Sequence, residues 1–252
     1  MKAARTILYT IVNDIAARDF KAGDRLATLG DMKKAYGGSR SSLQQALSFL
    51  ELGGLIRLRP GIGGGGTVGE AMGANLAAVS APFLCMAKAT CGDLLDAWVT
   101  TEPLLAAAAA RNADRALIGR LFGPYAKLAT AAEQDAVFRG ALVEGAANPA
   151  LSLPVESIAC LVVEVYGAAT HGEPPPSLGR DEQGALAAAI LAGEAGEAAR
   201  LLEAELRRIA GVMRQRIDQA DSQALARELL VNAFVGNGGR RFNPLDDGSR
   251  RT

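Results

Sequence analysis

Histidine is almost missing from this chain: among 252 residues only His171 carries an imidazole. It stands in a proline-rich stretch, 170–177, that reads as an exposed connector. A metal centre built from several histidines is therefore excluded. Cysteine is scarce as well, with Cys85, Cys91 and Cys160 alone. An odd, scattered set makes no disulfide framework and fits a reducing compartment. Cys85 and Cys91 also lack the two-residue gap of a zinc or redox motif. Aromatics are only 5% of the residues, and alanine is abundant, so tightly packed helices are expected over a sandwich or barrel. The longest apolar runs, such as 104–110, are too short to span a bilayer. No signal-peptide pattern precedes the first amphipathic segment. A cytoplasmic protein with no membrane partner is the expectation. There is no nucleophile elbow, no P-loop and no clustered His, Cys and acid. The glycines 63–66 follow a strand and lead into no lysine or helix that would hold a phosphate. No enzyme and no cofactor are expected.

Net charge is also absent, at zero, but only as a balance of two unequal parts. Residues 1–68 hold ten Lys/Arg against five Asp/Glu, and the remainder holds seventeen against twenty-two. A basic head on an acidic body suits a polyanion-binding module joined to a sensing module.

The head is organised around residues 39–68. Ser39 follows the Gly37-Gly38 break and is a good helix N-cap. Leu43, Ala46, Leu47 and Leu50 recur at three- and four-residue steps and give one buried face. Arg40, Ser41, Ser42, Gln44 and Gln45 lie near the helix N-terminus, the end a recognition helix offers to bases and phosphates. Gly53-Gly54 ends the helix. Residues 55–59 alternate as a strand, Pro60-Gly61 turns it, and 63–68 return as the second strand of a small wing. Before this come a first helix over 4–18, a turn at 20–24, and a second helix over 29–36 with Met32 inward and Lys33 and Lys34 toward solvent or phosphate.

Residues 69–92 lose clear periodicity and read as a connector, although 71–79 can be helical. Helices are then expected over 93–113 with a kink at Pro103, and over 114–122, 124–145, 153–170, 180–192 and 195–220. A further amphipathic helix over 222–235 and a polar, disordered tail over 236–252 complete the chain. The domain organisation expected is therefore a helical head with a small wing over 1–68, a linker over 69–92, an all-helical domain over 93–220, and an extra segment over 221–252. The fold class is mostly α.

The head resembles the winged helix-turn-helix of the GntR family of bacterial transcription regulators. Ile11, Ile15, Gly23-Asp24-Arg25-Leu26, Ser39-Arg40, Ala46-Leu47, Leu50, Gly54-Leu55 and the glycine-rich wing carry the resemblance. It implies a homodimer that binds duplex DNA, with Lys33, Ser39, Arg40, Ser41, Ser42, Gln44, Gln45 and the wing glycine Gly65 as the DNA-facing set. The chain departs from the family at Gly30, where an arginine is usual, and at Gln44-Gln45, where Arg-Glu is usual. Glutamine can still read adenine with two hydrogen bonds.

The body resembles the FCD ligand-binding domain of the FadR-type branch. The matching pieces are Leu95-Asp96-Ala97-Trp98 to Glu102-Pro103-Leu104, Asp135 to Arg139 with Asn148 to Leu151, and Asp181-Glu182-Gln183 with 187–206. The resemblance implies a small-molecule effector site. Many FCD domains hold a metal there on one aspartate and three histidines. Here the aspartate is Asp135, while Arg139, Gln183 and Glu205 replace the histidines. A guanidinium has no lone pair for a metal, so no metal is expected. Asp135 and Arg139 are four apart and share a helix face. With Glu205 they form either an internal cluster or a solvated surface pair. The effector is either a carboxylate held by Arg139 or a more apolar molecule favoured by Trp98, which can equally be core packing.

Overall fold

The computed structural model of the protein describes residues 2–59, 65–70, 72–122 and 131–219. The chain divides into two compact units, Met1–Val79 and Ser80–Thr252. The class is mostly α, as the composition implies.

The first unit contains α1 (Lys2–Ala17), β1 (Arg25–Thr28), α2 (Leu29–Tyr36), α3 (Arg40–Leu52), β2 (Ile56–Leu58) and β3 (Gly65–Val68). Its core joins Ile7 and Ile11 of α1, Met32 of α2, Leu43, Ala46, Leu47 and Leu50 of α3, and Ile56 of β2. Leu43, Ala46, Leu47 and Leu50 are the positions the three- and four-residue spacing put inward, and Met32 is inward as expected. Thr28 caps α2, accepting from the Asp31 amide at 3.2 Å. The Tyr36 hydroxyl at its far end donates to Asp14 of α1 at 2.9 Å. Gly37 and Gly38 then take φ of 67° and 79°, a left-handed turn that side chains resist. A Cβ on Gly38 would also touch Ile7 Cδ1 at 3.0 Å. The glycine pair therefore sets the sharp turn from α2 into α3.

The strands form one antiparallel sheet in the order β1-β3-β2. β1 corrects the sequence reading, which had only a turn and a motif there. It has one side chain turned toward the core, Leu26, with Arg25, Ala27 and Thr28 exposed. A register shift between Arg25 and Thr28 also interrupts its pairing with β3. The tip of the expected wing, 60–64, lies outside the described residues. The Glu51 carboxylate accepts from the Leu58 amide at 3.0 Å and ties α3 to β2.

α4 (Gly73–Met86) runs through the boundary between the units. It lies where the sequence was read as a connector. The helix has no charged residue, so no polar face marks its period.

The second unit contains α5 (Cys91–Thr101), α6 (Pro103–Arg111), α7 (Arg115–Phe122), α8 (Ala131–Ala146), α9 (Pro149–Ala169), α10 (Arg180–Ala192) and α11 (Ala195–Gln219). The single kinked helix expected over 93–113 is two helices. Pro103 has no N–H to continue the ladder, and Glu102, at φ −63° and ψ −35°, joins α5 to α6 with helical backbone. α6 sits at the centre, packed on α11, α8 and α10. Its Ala106, Ala107, Ala109 and Ala110 are buried, and one-carbon side chains let those neighbours approach closely. α11 answers with Ala198, Leu202, Leu206, Ile209, Met213 and Ile217, all buried on one face. α9 begins four residues before the expected start, capped by Asn148 with Pro149 in its first turn, where proline is tolerated. By length and composition alone α9 is the one described helix that would cross a membrane. It packs against α5 and carries Glu156 and Glu164. Part of the expected helix over 124–145, namely 124–130, and all of 220–252, including the expected helix 222–235 and tail, lie outside the described residues.

Candidate nucleic-acid interface and the buried ion cluster

The N-terminal turn of α3 presents its polar residues outward. Ser39 caps the helix, accepting from the Ser42 amide at 3.1 Å. Its hydroxyl also lies 2.8 Å from that of Ser41 and 2.9 Å from that of Ser42. Ser39, Arg40, Ser41, Gln44 and Gln45 are exposed, and Ser42 is half-buried. The helix end therefore offers hydroxyls, two amides and one guanidinium, beside amides that favour an anion. Replacing Ser39 by Ala should destabilise the first unit by about 1 kcal/mol, measurable as a shift in the urea midpoint with unchanged slope. Lys33 on α2 is exposed and makes no ion pair among the described residues, while Lys34 pairs with Asp31 at 3.8 Å. Gly65 sits in β3, where a Cβ would lie 3.3 Å from the Leu26 and Ala27 carbonyls of β1. Its backbone is in the sheet, and the close approach explains why a glycine stands there.

In the second unit the structure gathers Trp98, Glu102, Asp135 and Arg139. Arg139 Nε donates to Asp135 Oδ2 at 2.9 Å, and its Nη1 donates to Glu102 Oε1. The Trp98 indole N–H donates to the other oxygen of Glu102. The Arg139 guanidinium also stands over the Trp98 ring, 5.3 Å from its centroid, within cation–π range. The surface-pair alternative is corrected by burial, since the Glu102 side chain is 4% exposed and that of Arg139 is 28% exposed. The membership of the cluster is corrected too. The second carboxylate on Arg139 is Glu102, and Glu205 instead pairs with Arg208 on its own helix at 2.9 Å. Gln183 is buried and donates to the Leu178 carbonyl at 3.2 Å. The Leu178 amide reaches Asp135 at 3.5 Å, so Gln183 joins through the backbone.

Burial pushes the Glu102 carboxyl above the usual carboxylate range, against the pull of Arg139 and the Trp98 N–H. Burial also works against the charge of Arg139, but Glu102 and Asp135 more than offset it and hold its pKa above the ordinary value. Cys160 on α9 lies within electrostatic reach of Arg139, Glu164 and Glu156. Its thiol is pushed up to about 12, by burial first and then by the two glutamates. Burial likewise raises Glu156 and Glu164. These residues do not suit the metal that the FCD resemblance implies. The position of its first histidine holds a permanent cation already neutralised by two carboxylates.

The family model for "Bacterial regulatory proteins, gntR family" matches residues 3–65. Residues 3–65 are a GntR-family domain. The GntR-family domain thus takes in α1, α2 and α3 with β1 and β2, and ends as β3 begins. A solved structure titled "Streptococcus agalactiae GntR" is similar over 84% of this chain and 99% of its own, at 18% identity and TM-score 0.53. That likeness is one of fold. A structure titled as a transcriptional regulator (GntR family member) from Pseudomonas syringae pv. tomato str. DC3000 aligns over 91% of this chain and 89% of its own, at 18% identity and TM-score 0.26. No curated protein matches.

Glu102 escaped the sequence reading as a functional residue, although one signal marked it. It is the single charge between Asp96 and Arg111, in a run otherwise fit for burial. A lone charge in such a run needs a counter-ion from elsewhere in the fold.

Proposed function

We propose that the protein is a ligand-responsive, DNA-binding transcription regulator. In this reading the GntR-family domain docks α3 in the major groove of an operator, and the helical second unit binds the effector. The observation that carries the reading is the N-terminal face of α3, with Ser39, Arg40, Ser41, Gln44 and Gln45 exposed to solvent on a domain whose family is bacterial regulators. The protein acts as a homodimer, one head per half-site. Effector binding among the helices shifts the population of head arrangements and so the operator affinity.

The cluster around Arg139 is the electrostatic centre of the effector site. Its guanidinium is occupied by Asp135 and Glu102, with Trp98 against its face. A carboxylate effector would have to displace one of those partners, which weighs toward a more apolar molecule. Native mass spectrometry of the purified protein tests that choice, and a retained small carboxylate would decide against it.

Two amides at the reading end imply a preference for adenine, since each glutamine can bond adenine N6 and N7 together. In a gel-shift with the protein's own promoter DNA at 50 mM salt, on the order of the lowest used for such complexes, a discrete complex is expected. Gln44→Ala should then weaken binding by about 1–3 kcal/mol on sites with the matching adenine, and much less on sites without it. Absence of any complex at that salt would favour a second reading. Gly30 and Gln44 stand where arginines are usual, so the head would then serve as a partner-binding module.

A further inference from the structure

One face of α4 is apolar and open to solvent. Leu76, Val79, Phe83 and Met86 follow one another at three- and four-residue steps, which puts them on one side of the helix. All four are exposed, and Phe83 at 69% and Met86 at 82% are the most exposed large hydrophobic side chains among the described residues. Ala77 and Ala81, on the opposite side, are buried. α4 carries no charged residue, and a contiguous apolar face of this kind marks an interaction site. Pro82 lies inside the helix, between Val79 and Phe83. It removes one ladder hydrogen bond, so α4 is weakest beside its most exposed residues.

The end of α11 brings the chain back to this place. Arg214 donates from Nη2 to Asp96 Oδ1 of α5 at 2.7 Å. Asp218, one residue before α11 ends, lies within electrostatic reach of Cys91, the first residue of α5. Cys91 in turn follows Met86, the last residue of α4, by five positions, a length of chain that spans at most about 18 Å. The Ala89 amide donates to the Leu84 carbonyl at 3.0 Å and tightens that turn. Beyond α11 another 33 residues follow, 220–252. Within them, and outside the described residues, 222–235 sets Leu225, Leu229, Leu230 and Phe234 at helical spacing. A helix of that length is about 21 Å long and marginal alone in water. Its apolar side needs a partner, and it starts three residues past Gln219.

We propose that residues 222–235 dock as a helix on the exposed face of α4, anchored on Phe83 and Met86, and splint α4 across Pro82. The lengths agree, since α4 has 14 residues and so does 222–235. A second copy of α4 is the poorer occupant. The stripe from Leu76 to Met86 covers about one and a half heptads, whereas a coiled coil sustains three or four. A membrane surface fits less well, because interfacial helices carry Lys and Arg on their polar side, and α4 has neither. The contact needs neither the DNA-binding nor the effector reading.

Hydrogen–deuterium exchange on the full chain tests the docking. Amides of 222–235 should exchange about tenfold or more faster in the F83D/M86D variant than in the unaltered chain, with the same mass in solution for both. Circular dichroism checks that the helices survive, as substitution at two exposed positions implies. The L225D/L229D variant approaches from the other side and leaves every described residue unchanged. It should speed exchange at amides 83–87 and raise binding of the dye ANS, which reports exposed apolar surface. Adding F83D/M86D to it should remove the gain in dye. If F83D/M86D fails to fold, L225D/L229D decides alone. Equal exchange of 222–235 in the unaltered chain and a folded F83D/M86D overturns the docking, as does unchanged dye binding in L225D/L229D. An F83D/M86D variant with half the mass in solution also overturns it, and assigns the stripe to a second copy. Binding of the unaltered chain to phosphatidylcholine vesicles, abolished by F83D/M86D, would overturn it in favour of a membrane.

Discussion

Arg139→Ala is expected to destabilise the second unit by about 3 kcal/mol near neutral pH. The change leaves Glu102 buried without its counter-ion, and removing one member of a buried pair costs about 3–5 kcal/mol. The lower end is the better expectation, because the Arg139 side chain keeps 28% of its surface in water. The pH dependence follows from the sign of the Glu102 shift. Its folded pKa is already raised by burial, so its favourable contribution belongs to the protonated form. That contribution is complete below the unfolded carboxyl value, near about 4.3, and is lost as pH rises through the folded value. Removal of Arg139 raises the folded value further. The deficit should therefore be largest at neutral pH and shrink as pH falls toward the unfolded carboxyl value of about 4.3. Urea titrations at a series of pH values measure it. Adding Glu102→Gln to Arg139→Ala should recover part of the loss, since the amide still accepts from Trp98. A deficit below about 1 kcal/mol at every pH, the range of an exposed pair, would mean that the cluster carries no buried charge.

Gly69→Ala is expected to cost the first unit about 3 kcal/mol, the upper end for forcing extra atoms into a packed site. A Cβ there would lie 1.8 Å from the Gly54 carbonyl oxygen, and within 3.1 Å of the Gly54 and Leu55 carbonyl carbons. All three are backbone atoms, so no side chain can swing away. The Gly69 amide also donates to the Leu55 carbonyl at 2.8 Å, which fixes the approach. Gly54 itself cannot move freely, because it holds φ at 67° at the end of α3. The melting temperature of a unit this size should fall by roughly 10–20 °C. Gly30→Ala should do the opposite. Its Cβ would meet only Thr28 Oγ1, at 3.8 Å, and alanine in place of glycine in a helix favours folding by about 0.5–1 kcal/mol. If Gly69→Ala were neutral or stabilising like Gly30→Ala, the close approach of Gly69 to the Gly54 carbonyl would be refuted.

Local signals carried most of the first unit. Ser39 as cap, Gly37-Gly38 as turn and the Leu43-Leu47-Leu50 spacing all act within a few residues, so they can be read in order along the chain. β1 could not be read that way. Four residues with a single inward leucine and a bulge leave no period of two to find. α4 was unreadable for a different reason: apolar residues all round, with Pro82 inside, give no polar face to set a phase. In the second unit, helix positions followed from alanine content and spacing, but the ion cluster did not. The Asp135–Arg139 pair lies one helical turn apart and was legible. Glu102 lies 37 residues from Arg139, and only the packing of α6 on α8 brings them together. Family resemblance pointed to Glu205 for that place, and Glu205 is engaged by Arg208.

That long separation has an energetic meaning. Trp98 and Glu102, Arg139, and the Leu178 amide come from three distant parts of the chain. Without α8 in place, Glu102 would have no guanidinium beside it. Burying it before the guanidinium arrives would carry the full desolvation penalty. Only an arrangement that sets Arg139 against Glu102 lets the start of the alanine-rich α6 be buried without that penalty.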